Sequence, residues 1–130
     1  MAAIANGGTI VRPHLRLDER LESPLRQLNL PSRAIETVRK GMWAVVNERG
    51  TGQRAAFKTL EVCGKSGTAD WRKGATPHAW FAAYAPMDDP QIVAVVLIPE
   101  GDLGGATCAP IVKRLLEAYF NIHEGEGAVG

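Results

Sequence analysis

Two periods of apolar residues divide the chain. Ile35, Val38, Met42 and Val45 recur at helical spacing, and Glu36 stands four residues before Lys40, the favourable order for an ion pair on a helix. With Ser32 read as the N-cap and Gly50 and Gly52 as the stop, the pattern predicts a helix over about residues 33–48. Such a stripe serves either a partner-docking face or a core, and core packing is the simpler use. After residue 60 the spacing shortens. Leu60 to Ala69 reads as a strand interrupted by Gly64 and Gly67, where another backbone or a ligand can approach closely. His78 to Ala85 is apolar on both alternating faces, and Gln91 to Ile98 is a continuous run rich in β-branched residues, the pattern of a strand buried on both faces. The turn-forming residues 86–90 between them predict an antiparallel hairpin. Gly104-Gly105 then leads into a last helix from about Thr107 to Phe120, with Thr107 as N-cap, Pro110 in the first turn, and Ile111, Leu115, Leu116 and Tyr119 along one face.

The ends of the chain carry weaker patterns. Residues 1–6 read as the last turns of a helix closed by Gly7-Gly8, and Thr9 to Val11 as a short extended piece stopped by Pro13. Residues 14–31 alternate charges and leucines between three prolines, which predicts irregular or short-strand surface structure. Residues 1–122 are expected to form the folded segment, and residues 123–130, with nothing to bury, a mobile tail. Strands buried on both faces need helices above and below the sheet. One long helix, one C-terminal helix and a stub do not supply them. Either residues 1–30 fold back as cover or the chain is the C-terminal part of a larger domain; an opening within a helix favours the second.

Composition agrees with a folded domain: 45% of the 130 residues are apolar and 22% charged, too apolar for intrinsic disorder. No unbroken apolar run, Ile92 to Ile98 among them, exceeds seven residues, where a membrane helix needs about 20, and the N-terminus lacks the basic leader of a signal peptide. A net charge of +1 gives no electrostatic case for nucleic acid. Residues 1–60 nevertheless hold ten Lys/Arg against five Asp/Glu, and residues 61–130 five against nine. Lys65, Arg72 and Lys73 supply three of those five cations. Cys63 and Cys108, 45 residues apart with no Cys-x-x-Cys spacing, are too few for a structural zinc site unless histidines join them, and no cofactor or metal is expected. One disulfide and two buried thiols both fit, with free thiols the default.

The chemistry concentrates at Lys65-Ser66-Gly67-Thr68, after Gly64. A phosphate-binding P-loop would need glycine where Thr59 stands, and should open a helix rather than a strand. A nucleophilic Ser66 with Lys65 as base fails because neighbours on a strand point to opposite faces, and Thr68 breaks the Gly-x-Ser-x-Gly pattern. Two hydroxyls at alternate positions, by contrast, face the same way and suit a carboxylate. Lys65 adds positive charge, and Gly67 lets an extended ligand lie against the strand edge. A surface turn that happens to contain these four residues is the plain alternative.

Lys-Ser/Thr-Gly-Thr on a strand is one of three signature elements of penicillin-binding proteins and serine β-lactamases. The surroundings resemble the penicillin-binding protein transpeptidase family across residues 1–120: Ala5–Thr9 with Val11–Leu15, the helix VRKGMWAVVN at 38–47, GKSGTA at 64–69, HAWFAAYAP at 78–86 and APIVKRLLEAYF at 109–120. The order of these pieces is more specific than any one of them, and it looks most like the class B, elongation-type members. The resemblance implies an α+β fold: the C-terminal portion of a β-lactamase/transpeptidase-like domain, an antiparallel sheet flanked by helices, incomplete without upstream segments.

The resemblance also implies roles. Lys65 and Thr68 would be catalytic, Lys65 managing protons and the Thr68 N–H serving an oxyanion hole. Ser66, Gly67 and Thr68 would bind the terminal carboxylate of a peptidoglycan stem peptide or a β-lactam. Asp70, Trp71, Arg72 and Lys73 would form one rim of the cleft, and His78 would be structural. The family works at the periplasmic face of the bacterial inner membrane, with the cell-elongation machinery as partner. No Ser-x-x-Lys or Ser-x-Asn occurs in the sequence, since Ser23, Ser32 and Ser66 are each followed by other residues. The nucleophile and the anchor are therefore expected upstream of Met1, and this chain alone is expected to be inactive. A non-catalytic module that binds a partner through an exposed strand edge is the alternative, and a β-lactam sensor built on the same fold carries the same motif.

Overall fold

The computed structural model describes residues 1–16 and 24–122; the part of the irregular segment at 17–23 and the tail at 123–130 lie outside the described residues. Three antiparallel strands form the frame: β3 (Cys63–Ala69), β4 (His78–Ala85) and β5 (Ile92–Ile98), with β4 in the centre. Cys63 lies opposite Tyr84 and Ala69 opposite His78, while on the other side of β4 Ala79 meets Ile98 and Ala85 meets Ile92. The predicted hairpin is the β4–β5 pair, closed by the Gln91 N–H donating to the Ala85 carbonyl at 2.9 Å.

Alternation along these strands sorts their residues into two faces. Gly64, Ser66 and Thr68 share one with Ala79, Phe81 and Ala83 of β4 and Ala94, Val96 and Ile98 of β5. The main core packs on this face, where Phe81 and Val62 meet Val112 and Leu116 of helix α4 (Ala109–Phe120) and Val46 of helix α2 (Ser32–Asn47). The other face carries Cys63, Lys65, Gly67, Trp80, Ala82, Tyr84, Val93, Val95 and Leu97. Among the described residues only one end of it is covered, by Ala5 of helix α1 (Ala2–Ala5) and Met42 of α2 against Cys63 and Tyr84. Val95 is 54% exposed, and Trp80, Val93 and Leu97 are exposed beside it. The expectation that both hairpin strands are buried on both faces is therefore corrected: one face of the hairpin is packed, and the other is largely open among the described residues. A continuous apolar run reports that both faces are apolar, not that both are covered.

The helices depart from their predicted faces in instructive ways. Helix α2 begins at Ser32, with Pro31 in the N-cap position and its carbonyl accepting from the Ala34 N–H at 2.8 Å, so Ser32 is the first helical residue and not the cap. Its inward row runs through Met42 and Val46, whereas Val38 is exposed. Arg39 takes the inward place, donating from Nε to the Ile4 carbonyl at 3.1 Å and from Nη2 to the Ala5 carbonyl. A cation there satisfies the carbonyls left open at the end of α1. After Asn47 the chain folds back, and the Gly52 N–H donates to the Val45 carbonyl at 2.9 Å. A Cβ on Gly50 would stand 2.4 Å from Val45 Cα, which explains why glycine closes this helix.

The C-terminal helix is preceded by a separate turn, α3 (Gly104–Thr107). Cys108 holds the N-cap position of α4, and the Thr107 hydroxyl donates to the Gly101 carbonyl at 2.7 Å, so Thr107 is not its cap. The buried row of α4 is Ala109, Val112 and Leu116, and the expected inward residues Ile111, Leu115 and Tyr119 are exposed. Both rows have helical spacing, so the period alone could not choose between them. At the other end, α1 closes through Gly7 (φ +82°) and Gly8 (φ +109°) as expected. The Asn6 side chain then brackets Thr9, accepting from its N–H at 2.9 Å and donating to its carbonyl at 2.8 Å. This bracket starts β1 (Thr9–Ile10), which pairs antiparallel with β2 (Arg26–Gln27). None of the described helices is long and apolar enough to cross a membrane.

Candidate active site

The Lys-Ser-Gly-Thr segment occupies the second half of β3, an edge strand of the three-stranded sheet. An edge strand leaves alternate backbone amides and carbonyls without a sheet partner, so this is where an extended ligand can add. The start of β3 is anchored from behind by Asn47, whose Nδ2 donates to the Trp43 carbonyl at 2.9 Å and to the Val62 carbonyl at 2.8 Å. Gly64 lets Phe81 and Val46 close over the strand, since a Cβ there would lie 2.7 Å from the Phe81 ring.

Ser66 and Thr68 share one face of β3, as the alternation predicts, and both line a pocket of about 240 Å³ completed by Thr51 and residues 103–106. Ser66 is half-buried and Thr68 exposed. The Thr51 and Ser66 hydroxyl oxygens are 2.7 Å apart. The far wall of the pocket is held by close backbone approach: a Cβ on Gly104 would fall 2.0 Å from the Trp80 carbonyl oxygen, and one on Gly105 1.9 Å from that of Thr51. Lys65 lies on the opposite face, exposed, with Nζ donating to the Ser66 carbonyl rather than to the Ser66 hydroxyl. That geometry agrees with discarding Lys65 as a base for Ser66.

Beyond the motif, two of the predicted rim residues, Trp71 and Arg72, meet at one aromatic pair. Trp71 stacks on His78 with ring centroids 5.5 Å apart and planes 12° from parallel. The Arg72 guanidinium lies 5.0 Å over the Trp71 ring, and Trp71 Nε1 donates to the Thr76 carbonyl at 3.2 Å. The His78 Nδ1 accepts from the Glu100 N–H at 3.0 Å, which occupies this ring in structural contacts. Cys63 and Cys108 are both buried free thiols, so no disulfide joins them. Burial pushes both thiols above their ordinary range, which makes them poor nucleophiles.

Thr51 and the 103–106 turn were not singled out from the sequence. Their local signal is glycine: Thr51 stands between Gly50 and Gly52, and Gly104 adjoins Gly105. Glycine marks close approach but does not say to what. The contact between Thr51 and Ser66 spans 15 residues and becomes visible only in the folded chain.

Two hydroxyls thus line one groove at a sheet edge, and a lysine lies on the other face of the strand. Comparison with known proteins gives the class. The family model described as penicillin binding protein transpeptidase domain matches residues 1–117. The chain is 34% identical over 143 aligned residues to the peptidoglycan D,D-transpeptidase MrdA of Haemophilus influenzae, covering 91% of this chain and 22% of that protein. It is 31% identical over 134 residues to the peptidoglycan D,D-transpeptidase PbpA of Mycolicibacterium smegmatis, covering 90% and 27%. Among solved structures, Pseudomonas aeruginosa PBP2 in complex with WCK 5153 superposes with a TM-score of 0.79 at 32% identity, over 91% of this chain and 27% of that one. Penicillin-binding protein A of M. tuberculosis, as a ceftriaxone acyl-enzyme complex, gives a TM-score of 0.76 at 28% identity, over 90% and 30%.

The chain belongs to the penicillin-binding protein transpeptidase family, on the class B, elongation-type side, and is part of a transpeptidase domain. It spans about a quarter of the length of the curated relatives it matches.

Proposed function

We propose that residues 1–122 are the C-terminal segment of a peptidoglycan D,D-transpeptidase domain and that β3 is the strand on which the donor stem peptide lies. The observation that carries this reading is the placement of Ser66 and Thr68 side by side in one pocket at a sheet edge. Their hydroxyls donate to the terminal carboxylate of the peptide or of a β-lactam, the Thr68 N–H supports the oxyanion, and Gly67 keeps the edge clear for the ligand backbone. Lys65 contributes its charge from the other side of the strand and takes part in proton movement.

The reacting serine belongs to a Ser-x-x-Lys motif, which this sequence does not contain. Its oxygen bonds to the penultimate D-Ala carbonyl carbon, the bond to the terminal D-Ala nitrogen breaks, and that nitrogen leaves protonated as free D-Ala. An amine of a neighbouring stem peptide then bonds to the same carbon and returns the serine oxygen with its proton. A β-lactam acylates the same serine, and one relative, penicillin-binding protein A from M. tuberculosis, solved as ceftriaxone, imipenem and penicillin G acyl-enzyme complexes, supports this part of the reading. The proposed setting is the periplasmic face of the bacterial inner membrane, beside the cell-elongation machinery.

Two measurements on the chain test the proposal. Acetyl-D-Ala-D-Ala, titrated into the 15N-labelled chain, is expected to shift the amides of residues 65–69 and 103–106. No response there, or one confined elsewhere, overturns the carboxylate site. Labelled penicillin is expected to leave the chain's mass unchanged, and a stoichiometric adduct would contradict the assignment of the nucleophile to another segment.

A further inference from the structure

We infer that Thr51 is a positioning residue for the carboxylate site: its hydroxyl donates to the Ser66 oxygen and so commits the Ser66 proton to the ligand. The inference rests on the reading of β3 as the carboxylate-binding strand and goes beyond it in naming a residue outside the motif. A serine hydroxyl has one proton and two acceptor lone pairs. Left alone, it can spend that proton on water or on a nearby carbonyl. Thr51 Oγ1 is 2.7 Å from Ser66 Oγ; with Thr51 in the donor role, one Ser66 lone pair is filled and the proton is free to face the pocket that both residues line. Hydrogen bonds in such a chain polarise one another, so the outer donor becomes stronger toward an anion than an isolated hydroxyl would be.

Two features fix Thr51 for this task. The backbone turns back after α2 through the bond from the Gly52 N–H to the Val45 carbonyl, 2.9 Å, which sets the residue's position along the chain. Gly105 then presses on its carbonyl, where a Cβ would stand 1.9 Å away, so the loop cannot relax toward α3. The arrangement predicts selectivity for charge: a carboxylate accepts two donors strongly, whereas a terminal carboxamide accepts more weakly and brings donors of its own.

The test uses Thr51→Val, which keeps shape and removes the hydroxyl, with Thr51→Ser as the conservative variant and Ser66→Ala as the reference. Binding of acetyl-D-Ala-D-Ala and of its C-terminal amide is read from the amide shifts of residues 67–69. Loss of one neutral hydrogen bond in the chain is expected to weaken the carboxylate ligand roughly three- to tenfold in Thr51→Val. The amide ligand should change little, and Thr51→Ser should restore the carboxylate preference. Thr51 is exposed, so a thermal melt of each variant is expected to match the parent and separates positioning from unfolding. Equal weakening of both ligands, or no weakening while Ser66→Ala binds poorly, overturns the inference and leaves the carboxylate strand standing. If Ser66→Ala itself binds the carboxylate normally, the underlying site is wrong and the role of Thr51 falls with it.

Discussion

At Gly104 the α3 turn lies so close to the sheet that a methyl group has nowhere to go. Its would-be neighbours are the Trp80 carbonyl oxygen at 2.0 Å and the Gly67 carbonyl oxygen at 2.6 Å, both backbone atoms of paired strands. A flexible side chain could swing away; a strand carbonyl cannot. Gly104→Ala should therefore cost at least the roughly 1–3 kcal/mol typical of overpacking, read as a lower urea midpoint with an unchanged slope. A midpoint equal to the parent would mean that α3 is free to lift from the sheet. The buried thiols are the counterexample to reading chemistry from residue type: a cysteine one residue before Gly64 invites a catalytic guess, yet burial holds it neutral and out of reach.

Elements were legible wherever a period ran long enough. The bounds of β4 follow from HAWFAAYA, those of β5 from its β-branched run, and the hairpin from the turn between them. Faces were less legible. Helix α4 has two apolar rows, and the sheet takes the one through Ala109, Val112 and Leu116 because small Ala109 admits close approach beside the buried Cys108. Leu116→Ala should accordingly lose about 2–5 kcal/mol, while Leu115→Ala, at 47% exposure, should stay within about 0.5 kcal/mol. Comparable losses from chemical denaturation of the two variants would place the wrong row inward. Arg39 shows the same limit on α2, since no hydrophobic pattern foretells that a cation will face inward to hold the end of another helix. In the candidate site, the Ser66–Thr68 alternation follows from the strand period, whereas Thr51 depends on a contact across 15 residues that no local rule contains.

For the molecule as a whole, protection is set by where the sheet is enclosed. β4 has partners on both sides and carries the fully buried Ala79, Phe81, Ala83, Tyr84 and Ala85. β1 and β2 share two residue pairs and no fully buried side chain. Amide hydrogen exchange should thus be slowest in β4, faster in β3 and β5, and fastest in the β1–β2 pair. A β4 that exchanges as fast as β1 would show that the sheet is not the stable centre of the chain.

One consequence follows from the two-faced strand that carries the motif. The hydroxyls and the lysine are kept apart by the thickness of a single peptide chain, so their separation is set by the pleat and not by packing. Distant substitutions can tilt β3 but cannot change which group faces the pocket. A slip of one residue against β4 would change it completely, turning Lys65 and Gly67 into the groove and both hydroxyls out of it. Such an error would leave the strand's backbone pairing nearly intact while exchanging an anion's two donors for a single point charge. The Gly64 seat under Phe81 thus acts as an indexing pin. It makes an error in chain alignment, which a uniform strand would tolerate, a clash.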